Sequence, residues 1–256
     1  MIESILLTTT PIVSFVGQQR LTNATGFFFE RDDRLFLVTS RHVLRDAPSS
    51  HTPDRVEIEL HTDHENIAAF TGFSIPLYRH GRRVWRQGTD SAGEIDVAAI
   101  EVDRAALPQP VALQTFTSRH LLGANETVEI GTPTLIIGFP LGFQDQLHRT
   151  PVARQATLAS SFGLRFQGKG YFLTDGRTHR GSSGAPVVMR LAKPGPARRE
   201  VPWALLGVHS ARLDVTMRDA DKDEALGLNC AWYADILLTL TGRTPVVAGA
   251  PWARAR

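Results

Sequence analysis

The feature that most constrains this chain is a rhythm of short runs rich in β-branched, aromatic and leucine residues, separated by turn-formers. GFFFE at 26–30, LFLVTS at 35–40, RVEIELH at 55–61 and DVAAIEV at 96–102 read as strands, punctuated by Arg31-Asp32-Asp33 and Pro48-Ser49-Ser50. The second half has the same texture in TPTLIIGFP at 132–140, VARQATLASS at 152–161, GYFLTD at 170–175, APVVMR at 185–190 and WALLGVHS at 203–210. Such spacing belongs to an all-β barrel or sandwich. At 256 residues the chain is long enough for two such units.

The stretch 103–125, with Pro108 and Pro110 and few alternating apolar positions, reads as the connection between them. The division is an N-terminal unit over 1–110, a linker over 111–125 and a C-terminal unit over 126–256. AWYADILLTLTG, about 231–242, is the one long helical pattern, with Gly242 as its stop, and a short turn of helix is expected after His42. Residues 62–94, rich in His, Arg and Gly, read as an insertion, as do residues 191–202 with a Lys193-Pro194-Gly195-Pro196 tip.

A formal charge of +2, from 28 Lys plus Arg against 26 Asp plus Glu, gives no electrostatic reason to bind nucleic acid. The basic clusters, Arg82/Arg83, Arg198/Arg199 and the tail 253–256, are short and scattered and read as solvated surface. No apolar window is long enough to span a bilayer, and the N-terminus lacks the basic region of a signal peptide and reads as a first strand. Cys230 is the single cysteine, which excludes an intrachain disulfide and points to a reducing, cytoplasmic setting. It reads as a buried core thiol. His61, His64, His120, His148 and His179 are expected on the surface or in loops, HTDHE at 61–65 lacks the HExxH spacing, and neither a metal nor another cofactor is expected.

Chemistry concentrates in GSSGAP at 181–186, a serine in a tight glycine turn just before an apolar strand. Glycine lets the backbone turn so that the amides of Gly181 and Ser183 point at one spot, where an oxyanion would form. The nucleophile elbow of α/β-hydrolases does not fit, because it would require glycine at 185 and a helix after it. A serine hydroxyl needs a base. His42 closes the apolar run LFLVTSRHVL, and Asp96 opens the strand DVAAIEV, where a buried carboxylate would orient an imidazole. The order His42, Asp96, Ser183 is that of chymotrypsin-type enzymes.

The sequence resembles the bacterial trypsin-like peptidases of the chymotrypsin clan, including their high-temperature-requirement and glutamyl-endopeptidase branches. TSRHVL at 39–44, EIDVAAIEV at 94–102, GFPLG at 138–142, GSSGAP and GLNCAWYADIL at 227–237 resemble the family's blocks, in order. The resemblance implies an all-β fold of two six-stranded antiparallel β-barrels with a C-terminal helix. It further implies serine endopeptidase activity through an acyl-enzyme, with Ser183 as nucleophile, His42 as base and Asp96 as the orienting acid. Ser182 stands where zymogens place an aspartate, so activation by a freshly cut N-terminus is not expected. Arg177 stands where trypsin-like enzymes place a pocket acid, so cleavage after Lys or Arg is not supported.

LLGVHSAR at 205–212 resembles the strand lining the family's specificity pocket, with Ser210, Ala211 and Arg212 pairing with substrate backbone. In the glutamyl-endopeptidase branch a histidine at the place of His209 and a threonine at the place of Thr178 contact a substrate carboxylate. Arg177 and Arg212 would add positive potential, and the implied preference is an acidic residue before the cut bond. The implied partners are a polypeptide substrate and a regulatory protein, with neither nucleic acid nor membrane involved. Two other readings stand beside it: a latent protease-fold module that binds peptides, and an esterase without a protein substrate.

Overall fold

The computed structural model describes residues 2–123, 126–192, 195, 200–212 and 227–243. The Lys193–Pro194 tip, Arg198/Arg199, the tail and the side chain of Arg212 lie outside the described residues. After a short 3₁₀ turn at Ser4–Thr8 come β1 (Thr9–Val16), β2 (Gln19–Arg31) and β3 (Arg34–Thr39). The helical turn α1 (Arg41–Leu44) then leads to β4 (Arg55–His61), β5 (Phe70–Pro76), β6 (Tyr78–Arg79), β7 (Arg82–Arg83), β8 (Trp85–Asp90) and β9 (Gly93–Val102). The second half holds β10 (Phe116–Thr117), β11 (Pro133–Gly138), β12 (Val152–Thr157), β13 (Tyr171–Thr174), β14 (Pro186–Arg190), β15 (Trp203–Arg212), β16 (Asn229–Tyr233) and the helix α2 (Ile236–Leu240).

Two curled antiparallel sheets result. The first runs β5-β4-β1-β2-β3-β9-β8 and the second β12-β11-β14-β15-β16-β13. The second has the expected six strands, whereas the first has eight, because β8 folds back on β9 and the two-residue β10 pairs in parallel with β2. Much of 62–94 is therefore sheet: β5 pairs with β4 along seven residues. Its burial alternates between exposed positions and half-buried ones, with only Ile75 buried, which is an edge strand's pattern and explains why its composition resembles a loop.

The runs GFFFE and LFLVT are apolar without alternation because both faces of β2 and β3 are covered. Phe28, Leu35 and Leu37 enter a core with Val56, Ile58, Leu60, Trp85 and Ile100 inside the first sheet. Phe27, Phe29, Phe36 and Val38 project the other way, into a core shared with Ile137, Val188, Leu205, Val208 and Leu237 of the second half. A third core, around Ile136, Phe172, Val187, Leu206 and Ala231, fills the second sheet. Continuous apolar strands thus glue the two halves together.

The C-terminal helix is shorter than the pattern predicts. Ala231, Trp232 and Tyr233 belong to β16, paired with both β13 and β15, and helix begins only at Ile236. A short apolar run fits either period, and here two neighbouring strands offer backbone partners. The helix reaches back onto the first half: Arg34 donates to Thr241 O at 2.7 Å, Arg86 to Gly242 O at 2.7 Å, and Arg31 to Leu238 O. These cations satisfy carbonyls left open at a helix C-terminus. Among the described residues no helix is long and apolar enough to cross a membrane.

His61 and His120 depart from the surface expectation. His61 is buried with Nε2 on His148 O at 2.7 Å, and His120 Nδ1 accepts from Thr117 N at 2.8 Å inside a capping box. In each a ring nitrogen is hydrogen-bonded to backbone, which is how a histidine enters a core. Cys230 is buried, and burial pushes its thiol up to about 11.

Leu237 is fully buried in the shared core, so Leu237→Ala is expected to cost about 2–5 kcal/mol. Urea unfolding should show the midpoint falling with the slope unchanged.

Candidate functional site

His42 lies in α1, immediately after β3 has delivered the chain to the junction between the sheets. Its backbone N–H donates to Asp96 Oδ1 at 2.9 Å, and its ring Nδ1 lies 2.7 Å from Asp96 Oδ2. The same Oδ2 accepts the hydroxyl of Ser210, from the second half. Burial alone would push the Asp96 carboxyl up; the bonds and charge of His42 and the bond from Ser210 outweigh it, and the group is held below its ordinary value. Both oxygens are therefore engaged with the carboxylate ionised, and the contact at Nδ1 leaves Nε2 of His42 as the ring's other nitrogen.

Ser183 sits in the turn before β14. Its hydroxyl donates to Ser210 O at 3.0 Å, so Ser210 meets Asp96 with its side chain and Ser183 with its backbone. Gly181 and Ser183 fall in one tight turn closed by Ser182 N on His179 O at 3.2 Å and Ala185 N on Ser182 O at 3.0 Å. Among the described residues the amides of Gly181 and Ser183 have no backbone acceptor. Two glycines of the turn are required: Gly181 at φ +92° would place a Cβ 2.6 Å from Phe139 O, and Gly184 at φ +87° would place one 2.2 Å from Thr25 O.

The sequence did not single out Thr25, yet its three bonds pin this turn from the first sheet. Its Oγ1 donates to Gly181 O at 2.7 Å and accepts from Phe139 N at 3.0 Å, while its N–H donates to Ser183 O at 2.9 Å. Thr39 Oγ1 in turn donates to Thr25 O at 2.7 Å. Ser40 Oγ donates to His209 O at 3.2 Å, and that carbonyl also accepts Gly184 N at 2.7 Å. A threonine in a strand is ordinary, so nothing in the sequence distinguishes Thr25 or Thr39.

The residues expected to line a substrate pocket divide. Thr178 is buried and its hydroxyl is bonded to Asn229 Oδ1 of β16. Arg177 is exposed, on the opposite side of an extended segment whose burial alternates through Gly176, Arg177 and Thr178. It borders another groove with Leu141, Phe143, Arg154 and His179 and adds no charge beside Thr178. His209 is buried, pairs across β16 with Ala231, and has its Nδ1 sealed without a partner. Burial first, then the nearby His42, push its pKa down to about 4, so the ring is neutral at pH 7. A bulge between His209 and Arg212 frees the backbones of Ser210 and Ala211 from β16, and Ala211 is exposed. Asn229 is the other residue the sequence reading passed over. A buried asparagine inside a strand run is rare enough to have been the signal.

A family model described as "Trypsin-like peptidase domain" matches residues 24–192. Among solved structures, the serine endoprotease from Yersinia pestis is similar at a TM-score of 0.53 and 14% identity, over 92% of this chain and 62% of that one. An HtrA-type protease, AlgW, solved with a tripeptide, is similar at a TM-score of 0.55 and 14% identity, over 92% of this chain and 59% of that one. The chain thus spans about three fifths of the length of these solved relatives, and at this identity the likeness is one of fold. No curated protein matches it in sequence.

Two outcomes test this geometry. Thr25→Val, which keeps the shape and removes the hydroxyl, is expected to cost about 1–3 kcal/mol in urea unfolding. For His209, the unfolded chain titrates near 6.5 and the folded chain near 4, so folding stability is full above 6.5 and falls as pH drops from 6.5 to 4. Between pH 7 and pH 4 the wild type should lose roughly 3 kcal/mol more than His209→Gln, which does not titrate.

Proposed function

Because the chain belongs to the trypsin-like peptidase family, we propose that it is a serine endopeptidase in which Ser183 is the nucleophile, His42 the general base and Asp96 the group that orients it. The observation that carries the reading is the doubly bonded pair of His42 and Asp96, at 2.7 and 2.9 Å, with a serine in a turn whose Gly181 and Ser183 amides have no backbone acceptor among the described residues.

Rotation of the Ser183 side chain away from Ser210 O brings Oγ to Nε2 of His42. As Oγ attacks the scissile carbonyl carbon, its proton passes to Nε2 and the carbonyl electrons move to the oxygen, where the amides of Gly181 and Ser183 meet the charge. The imidazolium is stabilised by Asp96, and its proton then goes to the departing amine. Water repeats the sequence to release the acyl group. Substrate backbone pairs along Ser210, Ala211 and Arg212, and the side chain before the cut bond is read by Thr178 and His209. The resemblance that suggested these two residues implies an acidic side chain there.

A second reading has its own observation: in the resting arrangement the Ser183 hydroxyl is bonded to Ser210 O instead of His42. That favours a latent state which a regulatory protein or the substrate itself must release. A fluorophosphonate probe separates the two. Single labelling of wild type, absent in Ser183→Ala and His42→Ala, supports the enzyme; no labelling of folded protein supports the latent module. With a cleavable peptide, Asp96→Asn is expected to lower kcat by about 10⁴ while His42 stays in place.

A further inference from the structure

The hydrogens around Thr178 are countable. Asn229 Nδ2 donates to Thr174 O at 3.3 Å and to Gly176 O at 2.6 Å, which fixes the amide's orientation and turns Oδ1 toward Thr178. Oδ1 has no proton, so the Thr178 hydroxyl must donate its own. Any further group at Thr178 Oγ1 therefore meets lone pairs and must be a donor. A carboxylate offers only acceptors, while a carboxamide offers an NH₂.

His209 supplies the complement. Its side chain shares a sheet face with that of Asn229, since Ala231 lies opposite His209 and Asn229 is two residues along the same strand. A neutral imidazole has one N–H. Its Nδ1 is sealed and partnerless, and burying a lone pair there is less costly than burying an unbonded N–H, which puts the proton on Nε2. Neither the Thr178 hydroxyl nor the neutral His209 ring carries a charge. Thr178 Oγ1 thus offers an acceptor and His209 Nε2 a donor.

We propose that the pocket beside Ser183 receives an uncharged carboxamide side chain, glutamine or asparagine, before the cut bond, its NH₂ donating to Thr178 Oγ1 and its carbonyl accepting from His209. Asn229 is the positioning residue that sets this polarity. The assignment rests on the endopeptidase reading, and it replaces the acidic preference implied by resemblance: the threonine and histidine are present, but the threonine's proton is already spent on Asn229.

The test is the rate at which Ser183 is covalently labelled by peptidyl phosphonates identical except for the residue next to phosphorus: glutamine, asparagine, glutamate, aspartate or methionine. Glutamine or asparagine is expected to react at least tenfold faster than its own carboxylate at pH 7.5, and Thr178→Val to lose most of the glutamine-over-methionine selectivity. Faster reaction of glutamate or aspartate, or equal rates across the set with wild type labelled, overturns the pocket assignment and leaves the nucleophile intact. Absence of labelling by every probe, in folded protein, overturns the endopeptidase reading and the pocket with it.

Discussion

A buried carboxylate with every oxygen spoken for is the constraint on which the rest of this architecture depends. Asp96 accepts from the backbone and ring of His42 and from the hydroxyl of Ser210, and the charge is tolerable in a largely buried position only because all three donors are present. Two come from the first half of the chain and the third from the second. The electrostatic requirement of one side chain therefore sets how the sheets must meet, and the shared apolar core, from Phe27 and Phe29 to Val208 and Leu237, holds them in that register.

The same logic of spent hydrogen bonds organises the turn that carries Ser183. Thr25 uses its N–H and both capacities of its hydroxyl to hold Gly181, Ser183 and Phe139. Gly184 N and Ser40 converge on His209 O. The turn is thus fixed from outside, and its own amides at Gly181 and Ser183 are left unused among the described residues. Donors held in position before a charge develops cost no reorganisation when it does.

The sequence made the fold class readable because both strand rhythm and motif order survive at the level of residue type. GSSGAP, SRHVL and EIDVAAIEV carry their meaning locally: a turn, a strand end and a strand start. The 231–242 pattern misled because Ala231 to Tyr233 satisfy strand pairing with β13 and β15, whose residues, such as Tyr171 opposite Trp232 and His209 opposite Ala231, lie far outside the local window. Residues 62–94 misled because an edge strand need be only half apolar. Thr25 and Thr39 were invisible for a deeper reason: what matters about each is where its hydroxyl proton goes, and residue type does not record that. The polarity of the pocket belongs to this class.

The arginine clasp on α2 has a consequence for how such a chain comes into being. Arg31, Arg34 and Arg86 are synthesised early, and the carbonyls they hold, at Leu238, Leu240, Thr241 and Gly242, late. Ser210 and Ser183 likewise leave the ribosome well after His42 and Asp96. During translation the first sheet can form with His42 and Asp96 before Ser183 and Ser210 have been made, and the two sheets are clasped when β16 and α2 dock. Vectorial synthesis thus imposes an interval: His42, Asp96, Ser183 and Ser210 cannot come together until the chain has been made through Ser210.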